Sequence, residues 1–264
     1  MKNLTLIVLG SVLFGASSCS RYYYKPNAVN APLLTDKNQF HIAGAGSISS
    51  ITDDDNSEGG NFSFFDVQAS YSPVKHLGII ANYSTWAFRA DNIDFSKGNV
   101  DADAHLAEIG LGTYMASGQG RTKFVADIYA GGGAGSLKSD VDMRARRLFI
   151  QPGVGFRHPA VEVGFNMRFS NIKYFDLDDH GRGTAYLTTQ NLFDVQRNER
   201  IDDRSYFFLE PALTLRTGYK FIKAQFNWTL ATELSNVRWN YSESRFTVGL
   251  QFNLEEALQL AGEK

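Results

Sequence analysis

Segments that alternate apolar and polar residues recur along the sequence, and the gaps between them alternate between long and short. The segments lie at 40–49, 61–72, 76–89, 104–116, 122–137, 147–157, 160–173, 205–217, 220–233 and 244–254. The short gaps fall at 72–75, 117–120, 158–159 and 218–219, and the long ones at 50–60, 90–103, 138–146, 174–204 and 234–243. Short turns at one end of a sheet and long polar loops at the other are typical of outer-membrane barrels. The spacing predicts an all-β fold over residues 40–254: a closed antiparallel up-and-down transmembrane barrel of about ten strands, with long extracellular loops and short periplasmic turns.

The two faces of each segment differ in composition, and the difference predicts which face meets lipid. From residue 161 one face reads Val161, Val163, Phe165, Met167 and Phe169, and the other reads Glu162, Gly164, Asn166, Arg168 and Ser170. The polar faces hold Gly, Ser, Asn, Gln and a few charges of both signs, whereas a solvated surface would carry many Lys and Glu. We therefore expect the apolar face to point towards lipid. The alternative is a soluble, lipid-anchored, lipocalin-like ligand binder with the apolar face inside.

Aromatic residues near the segment ends are candidates for the two interfacial girdles of a membrane barrel. Near the short turns these are Tyr71, Tyr219 and Phe221. Near the long loops they are Trp86, Tyr174, Tyr206 and Trp239. The segment 76–89 is ambiguous, because Trp86 and Phe88 fall on its polar phase.

If the polar faces point inward, the lumen of the barrel contains a network of charges of both signs. The predicted members are Asp66, Glu108, Lys123, Asp127, Arg157, Glu162, Arg168, Glu210, Arg216, Lys223 and Glu233. An unpaired buried charge costs several kcal/mol, so we expect these groups to pair across a narrow lumen and to plug it. A narrow porin-like conduit for small polar solutes is the alternative.

Residues 1–18 have the pattern of a lipoprotein signal peptide. Lys2 is positive, Leu4–Ala16 is apolar but too short to span a bilayer as a helix, and small residues follow. Cys19 is the single cysteine and resembles the lipidated residue of a bacterial lipobox, although Ala16 stands where an aliphatic residue is usual. The resemblance implies lipoprotein-processing enzymes as partners. An ordinary signal peptide with an incidental thiol is the alternative.

Residues 19–39 are predicted to be a non-periodic linker, extended against the base of the barrel. Its three consecutive tyrosines, Tyr22–Tyr24, are expected at the headgroup level or in solvent. An even strand number places both chain ends in the periplasm, so a lipid on Cys19 is expected on the periplasmic side of the outer membrane.

The last segment ends in Thr247-Val248-Gly249-Leu250-Gln251-Phe252-Asn253-Leu254. It resembles the assembly signal of outer-membrane barrels, in which a glycine precedes hydrophobic residues at alternate positions. The resemblance assigns that role to Gly249, Leu250, Phe252 and Leu254 and implies the barrel assembly machinery as a partner. Leu254 departs from the usual terminal aromatic residue, and 255–264 follow as a short periplasmic tail with one or two helical turns.

Near the start, the sequence reads Tyr24-Lys25-Pro26-Asn27-Ala28-Val29-Asn30-Ala31-Pro32-Leu33-Leu34, directly after the lipidation region. Further on come Asp66-Val67-Gln68-Ala69-Ser70-Tyr71 and His76-Leu77-Gly78-Ile79-Ile80-Ala81-Asn82. The combination resembles a family of uncharacterised outer-membrane barrel lipoproteins of the Bacteroidota. The resemblance implies a barrel lipoprotein but no reaction.

Two acidic loops are candidates for metal binding, at Asp53–Asp55 and at Asp176, Asp178, Asp179 and His180. Neither has the spacing of a calcium loop, and no pair of histidines has metal-ligand spacing. We therefore expect solvated loops, no metal and no cofactor. The net charge of −2 argues against a nucleic-acid partner.

An omptin-like surface protease is a further alternative. Omptins are ten-stranded barrels with an Asp/Asp pair and an Asp-x-His pair on facing outer loops. The present sequence has Asp101-x-Asp103 in its second long loop and Asp178-x-His180 in its fourth. Acid-rich loops produce such spacings easily, and predicted strands of 10–14 residues are shorter than those of omptins.

The sequence thus favours an integral outer-membrane barrel lipoprotein that contacts outer-membrane lipid and is not an enzyme. The longest loop, 174–204, is the expected surface for a structural or recognition role.

Overall fold

The computed structural model describes residues 22–51, 58–92, 101–219 and 221–262. In chain order its elements are β1 (Phe40–Ile51), β2 (Glu58–Val74), β3 (Leu77–Asn92), β4 (Asp101–Ser117), β5 (Lys123–Lys138), β6 (Asp142–Arg157), β7 (Val161–Asp178), α1 (Gly183–Thr189), β8 (Phe193–Asp194), β9 (Glu199–Arg200), β10 (Ser205–Tyr219), β11 (Ile222–Leu230), β12 (Thr232–Glu233), β13 (Ser244–Asn253) and α2 (Leu254–Gly262).

The long strands β1–β7, β10, β11 and β13 form one closed antiparallel sheet. Each pairs with its neighbours along the chain, and β13 pairs with β1 from His41↔Asn253 to Gly46↔Val248. The two-residue strand β12 pairs with β10 above the end of β11. Closure leaves no free sheet edge, so backbone groups can be satisfied in lipid. The predicted ten-stranded up-and-down barrel is confirmed.

The outer face of the barrel is apolar and its inner face is polar. On β7, Phe165 and Phe169 are exposed, whereas Glu162 and Arg168 are fully buried. The same alternation exposes Ile109 on β4 and Leu148 on β6, each at 64%. A lipocalin-like binder would have the opposite orientation, so the structure contradicts that alternative. None of the helices in the described residues is long and apolar enough to span a membrane.

The strands are longer than the predicted 10–14 residues. β4 has 17 residues and β7 has 18, although about 9–11 residues suffice for a tilted strand to span a bilayer. The extra length lies at the long-loop end, where β7 continues past residue 173 to Asp178 and β6 begins at Asp142. The extensions carry more polar residues than the spanning part. A search for apolar alternation therefore did not identify them as strand. The barrel wall therefore continues beyond the membrane on the long-loop side.

The segment before β1 runs through the lumen, not against the base of the barrel. At the long-loop end the Tyr23 N–H donates to Asn240 O (2.9 Å), and the Ser242 N–H donates to Tyr24 O (2.9 Å). At the short-turn end the Asn38 N–H donates to Ser72 O (2.6 Å). Of residues 23–34 all but Lys25 are buried. We call residues 22–34 the strap; its amides and small apolar side chains suit a narrow polar tube better than solvent.

Both ends of the barrel are covered by short helices. The loop 174–204 contains α1 and the hairpin β8–β9. Its Leu187, Leu192 and Ile201 pack in one cluster with buried aromatic residues at the long-loop end of the lumen, which we call the mouth. At the short-turn end α2 follows β13 directly, as the predicted helical tail. Its Glu255 accepts a hydrogen bond from the Phe40 N–H at 3.2 Å.

Candidate functional site

The long-loop end of the lumen is closed by an inward-facing aromatic cluster. Trp86, Tyr174, Tyr206 and Trp239, predicted as an interfacial girdle, are instead buried inside the barrel. The rings of Tyr206 and Trp239 lie 5.1 Å apart at a steep angle, and those of Tyr174 and Trp239 lie 5.8 Å apart. Trp86, Tyr174 and Tyr206 face inward because each lies on the inward phase of its strand, and Trp239 reaches the cluster from the last long loop. At the short-turn end Tyr71, Tyr219 and Phe221 are exposed on the outer surface.

The start of the strap is held within this cluster. The Tyr174 hydroxyl donates to Tyr23 O at 2.8 Å. The Lys25 ammonium lies 3.0 Å from the centre of the Phe62 ring and 4.4 Å from that of Tyr22. A cation over an aromatic face is attracted by the ring quadrupole, so these rings offset part of the lost hydration of Lys25.

The middle of the strap is bound by two arginines and two glutamates. Arg147 on β6 and Arg168 on β7 each contact Glu210 on β10 at 2.5 Å. The same two arginines donate to the Asn27 side-chain oxygen at 2.8 and 2.6 Å, and the Asn27 amide donates to Glu108 at 2.7 Å. All five side chains are buried. Asn27 therefore links the strap to a charge cluster that spans the lumen.

Backbone carbonyls of the strap are bound by side chains from several strands. Gln68 donates to Ala28 O (2.8 Å), Asn227 to Val29 O (3.1 Å) and Gln151 to Asn30 O (2.7 Å). An extended segment that makes no sheet ladder must satisfy its buried carbonyls in this way. The side-chain amides that face the lumen thus supply the hydrogen-bond donors that a neighbouring strand would otherwise provide.

The short-turn end of the lumen contains a second charge cluster, centred on Glu162. Glu162 is contacted by three cations: Lys223 at 2.6 Å, Arg216 at 3.2 Å and Arg157 at 3.3 Å. Arg157 also contacts the α2 carboxylates Glu255 at 3.3 Å and Glu256 at 2.9 Å. The tail helix is therefore tied to the lumen through one arginine.

Glu255 remains ionised where it meets the barrel. Burial alone would raise its pKa, but the hydrogen bond with His41 and the positive charge of Arg157 outweigh that effect and hold the pKa at about 2. The His41 Nε2 atom lies 3.2 Å from Glu255 Oε1. At neutral pH the short-turn end is thus closed by a charged contact.

The predicted charge network is assembled only in part. Buried ion pairs involve most of its members, namely Asp66, Glu108, Arg157, Glu162, Arg168, Glu210, Arg216 and Lys223. Asp127 is buried, but its Oδ1 has no hydrogen-bond partner among the described residues.

Two predicted members lie outside the network. Lys123 sits at the end of its strand and donates to Gly118 O of the short turn at 2.9 Å. Glu233 lies above the lumen and accepts from the Val237 N–H of the last long loop. Both residues lie on the inward-facing side of their strands, as predicted. They lie at the ends of the barrel, however, and not at the level of the charge clusters.

Sequence reasoning missed several lumen residues. Arg245 pairs with Asp66 at 2.6 Å, and Arg147, Asn27, His41 and Glu255 belong to the clusters described above. Arg147 and Gln151 lie on the same face of the predicted segment 147–157. The alternation that places Gln151 inside the lumen therefore also predicts an inward-facing Arg147. Asn27 had no such signal, because the strap has no period.

In the structure two acidic side chains of the 176–180 segment accept hydrogen bonds from backbone N–H groups of the turn that follows β7. Asp178 accepts from the His180 N–H, and Asp179 accepts from the N–H groups of Gly181 and Gly183. No group of three metal-ligating side chains occurs among the described residues. The other acidic cluster, Asp53–Asp55, lies outside the described residues, as does Cys19.

The facing pairs of an omptin site are not brought together by the described residues. Asp103 is exposed in the same phase of β4 as Ile109, on the outer face of the barrel. His180 approaches Asp142 (3.5 Å) and Asp178 (4.0 Å) at the end of the wall formed by β6 and β7. The strands are long enough for such a site, but the outward-facing Asp103 is not among the ion-pair partners of His180 in the described residues.

A substitution at Asn27 tests whether the central cluster binds the strap. Asn27→Leu removes its hydrogen bonds with Glu108, Arg147 and Arg168 and leaves buried charged groups under-satisfied. We expect the free energy of unfolding in detergent to fall by about 2–4 kcal/mol. Asn30→Leu is the matched control, because the Asn30 amide donates to a neutral acceptor, Ala69 O, and contacts none of the charged groups of the cluster in the described hydrogen bonds. Equal losses for the two variants would contradict a special role for Asn27.

The closed ten-stranded sheet with an apolar exterior is the architecture of an integral outer-membrane β-barrel protein. Neither a protein-family model nor a curated protein matches the sequence. Among solved structures, the translocator domain of the autotransporter NalP from Neisseria meningitidis is similar over 82% of this chain and 88% of its own, at 8% identity and a TM-score of 0.39. The outer-membrane protease OmpT from Escherichia coli is similar over 84% and 99%, at 9% identity and a TM-score of 0.33.

Proposed function

We propose that this outer-membrane barrel is a lipoprotein that closes its own lumen with its N-terminal strap and serves a structural or surface-recognition role. The observation that carries the proposal is the path of the strap through the whole lumen, bound by buried charges at mid-height. A barrel filled in this way has no open route for solutes.

The surface through which the protein acts is the folded loop 174–204. α1 and the hairpin β8–β9 form a small ordered unit instead of a solvated loop, and Arg238 ties the last long loop to Asp194 at 2.9 Å. An ordered outer surface on a rigid barrel is suited to binding a partner without large ordering costs. The proposed role includes no catalytic step, cofactor or metal.

Maturation of the protein requires two partners in this proposal. Lipoprotein-processing enzymes attach a lipid to the Cys19 thiol and then remove residues 1–18, and the barrel assembly machinery recognises the end of β13. Leu250 and Phe252 are exposed on the outer face there, where another protein can reach them during assembly. The resemblance to the Bacteroidota barrel lipoproteins supports both steps.

A narrow conduit for small polar solutes is the second candidate function. Buried polar atoms on the wall formed by β5–β7 have no hydrogen-bond partner among the described protein groups, including Asp127 Oδ1, Asn166 Oδ1 and Ser170 Oγ. Such groups in a lumen are usually satisfied by water. A file of water beside the strap could pass small solutes if the strap moved.

Two measurements on the purified protein distinguish these functions. We expect a shift in gel mobility on boiling, because a closed membrane barrel stays folded in the detergent until heated. In a planar bilayer the same preparation should show no conductance steps, since the strap occupies the lumen. Regular steps from the unaltered protein would favour the conduit, and a lack of any mobility shift would contradict a membrane barrel.

A further inference from the structure

The strap has a fixed direction through the barrel. Its first residues pair with the last long loop, through Tyr23 with Asn240 and Tyr24 with Ser242. Its far end meets the short turn after β2, through Asn38 and Ser72. The eleven Cα–Cα steps from Tyr24 to Thr35 can cover at most about 36 Å, which is comparable to the roughly 30 Å hydrocarbon core of a bilayer. The described chain therefore starts at the long-loop end and crosses the membrane before β1 begins.

We propose that the strap is threaded through the barrel in the membrane, so that its beginning at Tyr22 and Tyr23 lies at the outer surface of the cell. The proposal rests on the orientation in the proposed function, with long loops outside. It replaces the sequence-based expectation that both chain ends face the periplasm. Because the strap crosses the membrane once more inside the barrel, its beginning lies on the long-loop side and its end on the short-turn side.

Contacts around the whole circumference support a threaded strap. Side chains that bind the strap come from β2, β4, β6, β7, β10, β11 and β13, and include Gln68, Glu108, Gln151, Asn227 and Arg245. Because these partners surround the strap, withdrawing it from the closed barrel would leave the buried charges of Arg147, Arg168 and Glu210 with fewer partners.

Epitope tags at three positions of the full-length chain test the proposal. One tag follows Ser20, the second follows Asn198 in the outer loop, and the third follows Gly118 in a short turn. We expect the first two to bind antibody equally well on intact and permeabilised cells, and the third to bind only after permeabilisation. Boiling-dependent gel mobility confirms that each tagged protein has assembled.

Other labelling patterns distinguish a failure of the threading from a failure of the barrel orientation on which the proposed function depends. An N-terminal tag that reacts only after permeabilisation, with the Asn198 tag reactive on intact cells, would overturn the threading and leave the barrel orientation intact. A reactive Gly118 tag on intact cells with a silent Asn198 tag would instead overturn the orientation.

A disulfide provides a second test that needs no insertion. Tyr24 and Tyr241 are paired residues of a parallel bridge, so Tyr24→Cys with Tyr241→Cys places two thiols side by side at the mouth. We expect a cross-linked species in membranes from oxidised cells that disappears on reduction. The control pair, Tyr24→Cys with Lys75→Cys, lies at opposite ends and should not cross-link. An assembled barrel without the first cross-link would contradict the threading.

Discussion

Replacing strap residues 25–34 with a Gly-Ser segment of equal length should open the lumen. The substitution removes the side chains that fill the tube, including Asn27, Leu33 and Leu34, and it favours an unrestrained segment over an ordered one. We expect discrete conductance steps in a planar bilayer, where the unaltered protein shows none. Weak ion selectivity should accompany them, since acids and bases nearly balance along the lumen.

The barrel should survive this replacement, although with lower stability. The ladders between neighbouring strands do not involve the strap, and they contain most of the backbone hydrogen bonds of the sheet. The boiling-dependent shift should remain, with a lower midpoint temperature. Replacing only the exposed residues 36–38 with Gly-Ser is the control and should leave the barrel closed. A folded strap variant without conductance would show that the wall residues alone close the lumen.

The barrel itself could be predicted from the sequence because its signals are local. Alternation at a period of two identifies a strand and its faces, and the gap lengths distinguish the two ends. The polar composition of one face is enough to place Glu162, Arg168 and Glu210 inside the lumen. These inferences need only residues that are close in the sequence.

The strap could not be predicted because its interactions are distant in the sequence. Asn27 binds Glu108, 81 residues away, and Arg168, 141 residues away. An extended segment without a period gives no sign of which groups will surround it. The strap's small and amide side chains are equally common in exposed linkers, so composition alone favoured the wrong location.

The aromatic cluster at the mouth is an intermediate case. The sequence correctly placed Trp86, Tyr174 and Tyr206 near the long loops, but a position along the strand does not determine the face. The phase of Trp86 on a polar face was the available signal, and a preference for interfacial girdles outweighed it. Since the strands extend beyond the membrane, aromatic residues at this height can face inward and pack beneath the outer loop.

Neutralising Glu162 should cause the largest loss of stability among single substitutions in the lumen. Glu162 is fully buried and contacts Arg157, Arg216 and Lys223. Glu162→Gln preserves the shape but leaves three cations close together without their shared partner. Breaking a buried ion pair from one side typically costs about 3–5 kcal/mol, and we expect a loss in that range. Denaturant unfolding in detergent micelles measures it, with Lys223→Met as the matched control.

Combining the two substitutions distinguishes charge imbalance from lost packing. Lys223→Met alone leaves Glu162 with two arginines and should cost less than Glu162→Gln. In the double variant the Met removes one of the uncompensated cations, so its loss should be smaller than the sum of the two single losses by about 1–2 kcal/mol. If the two losses simply add, the cluster stabilises the barrel through shape and hydrogen bonds. A smaller combined loss would show that charge balance among Glu162, Lys223 and the two arginines stabilises the short-turn end of the barrel.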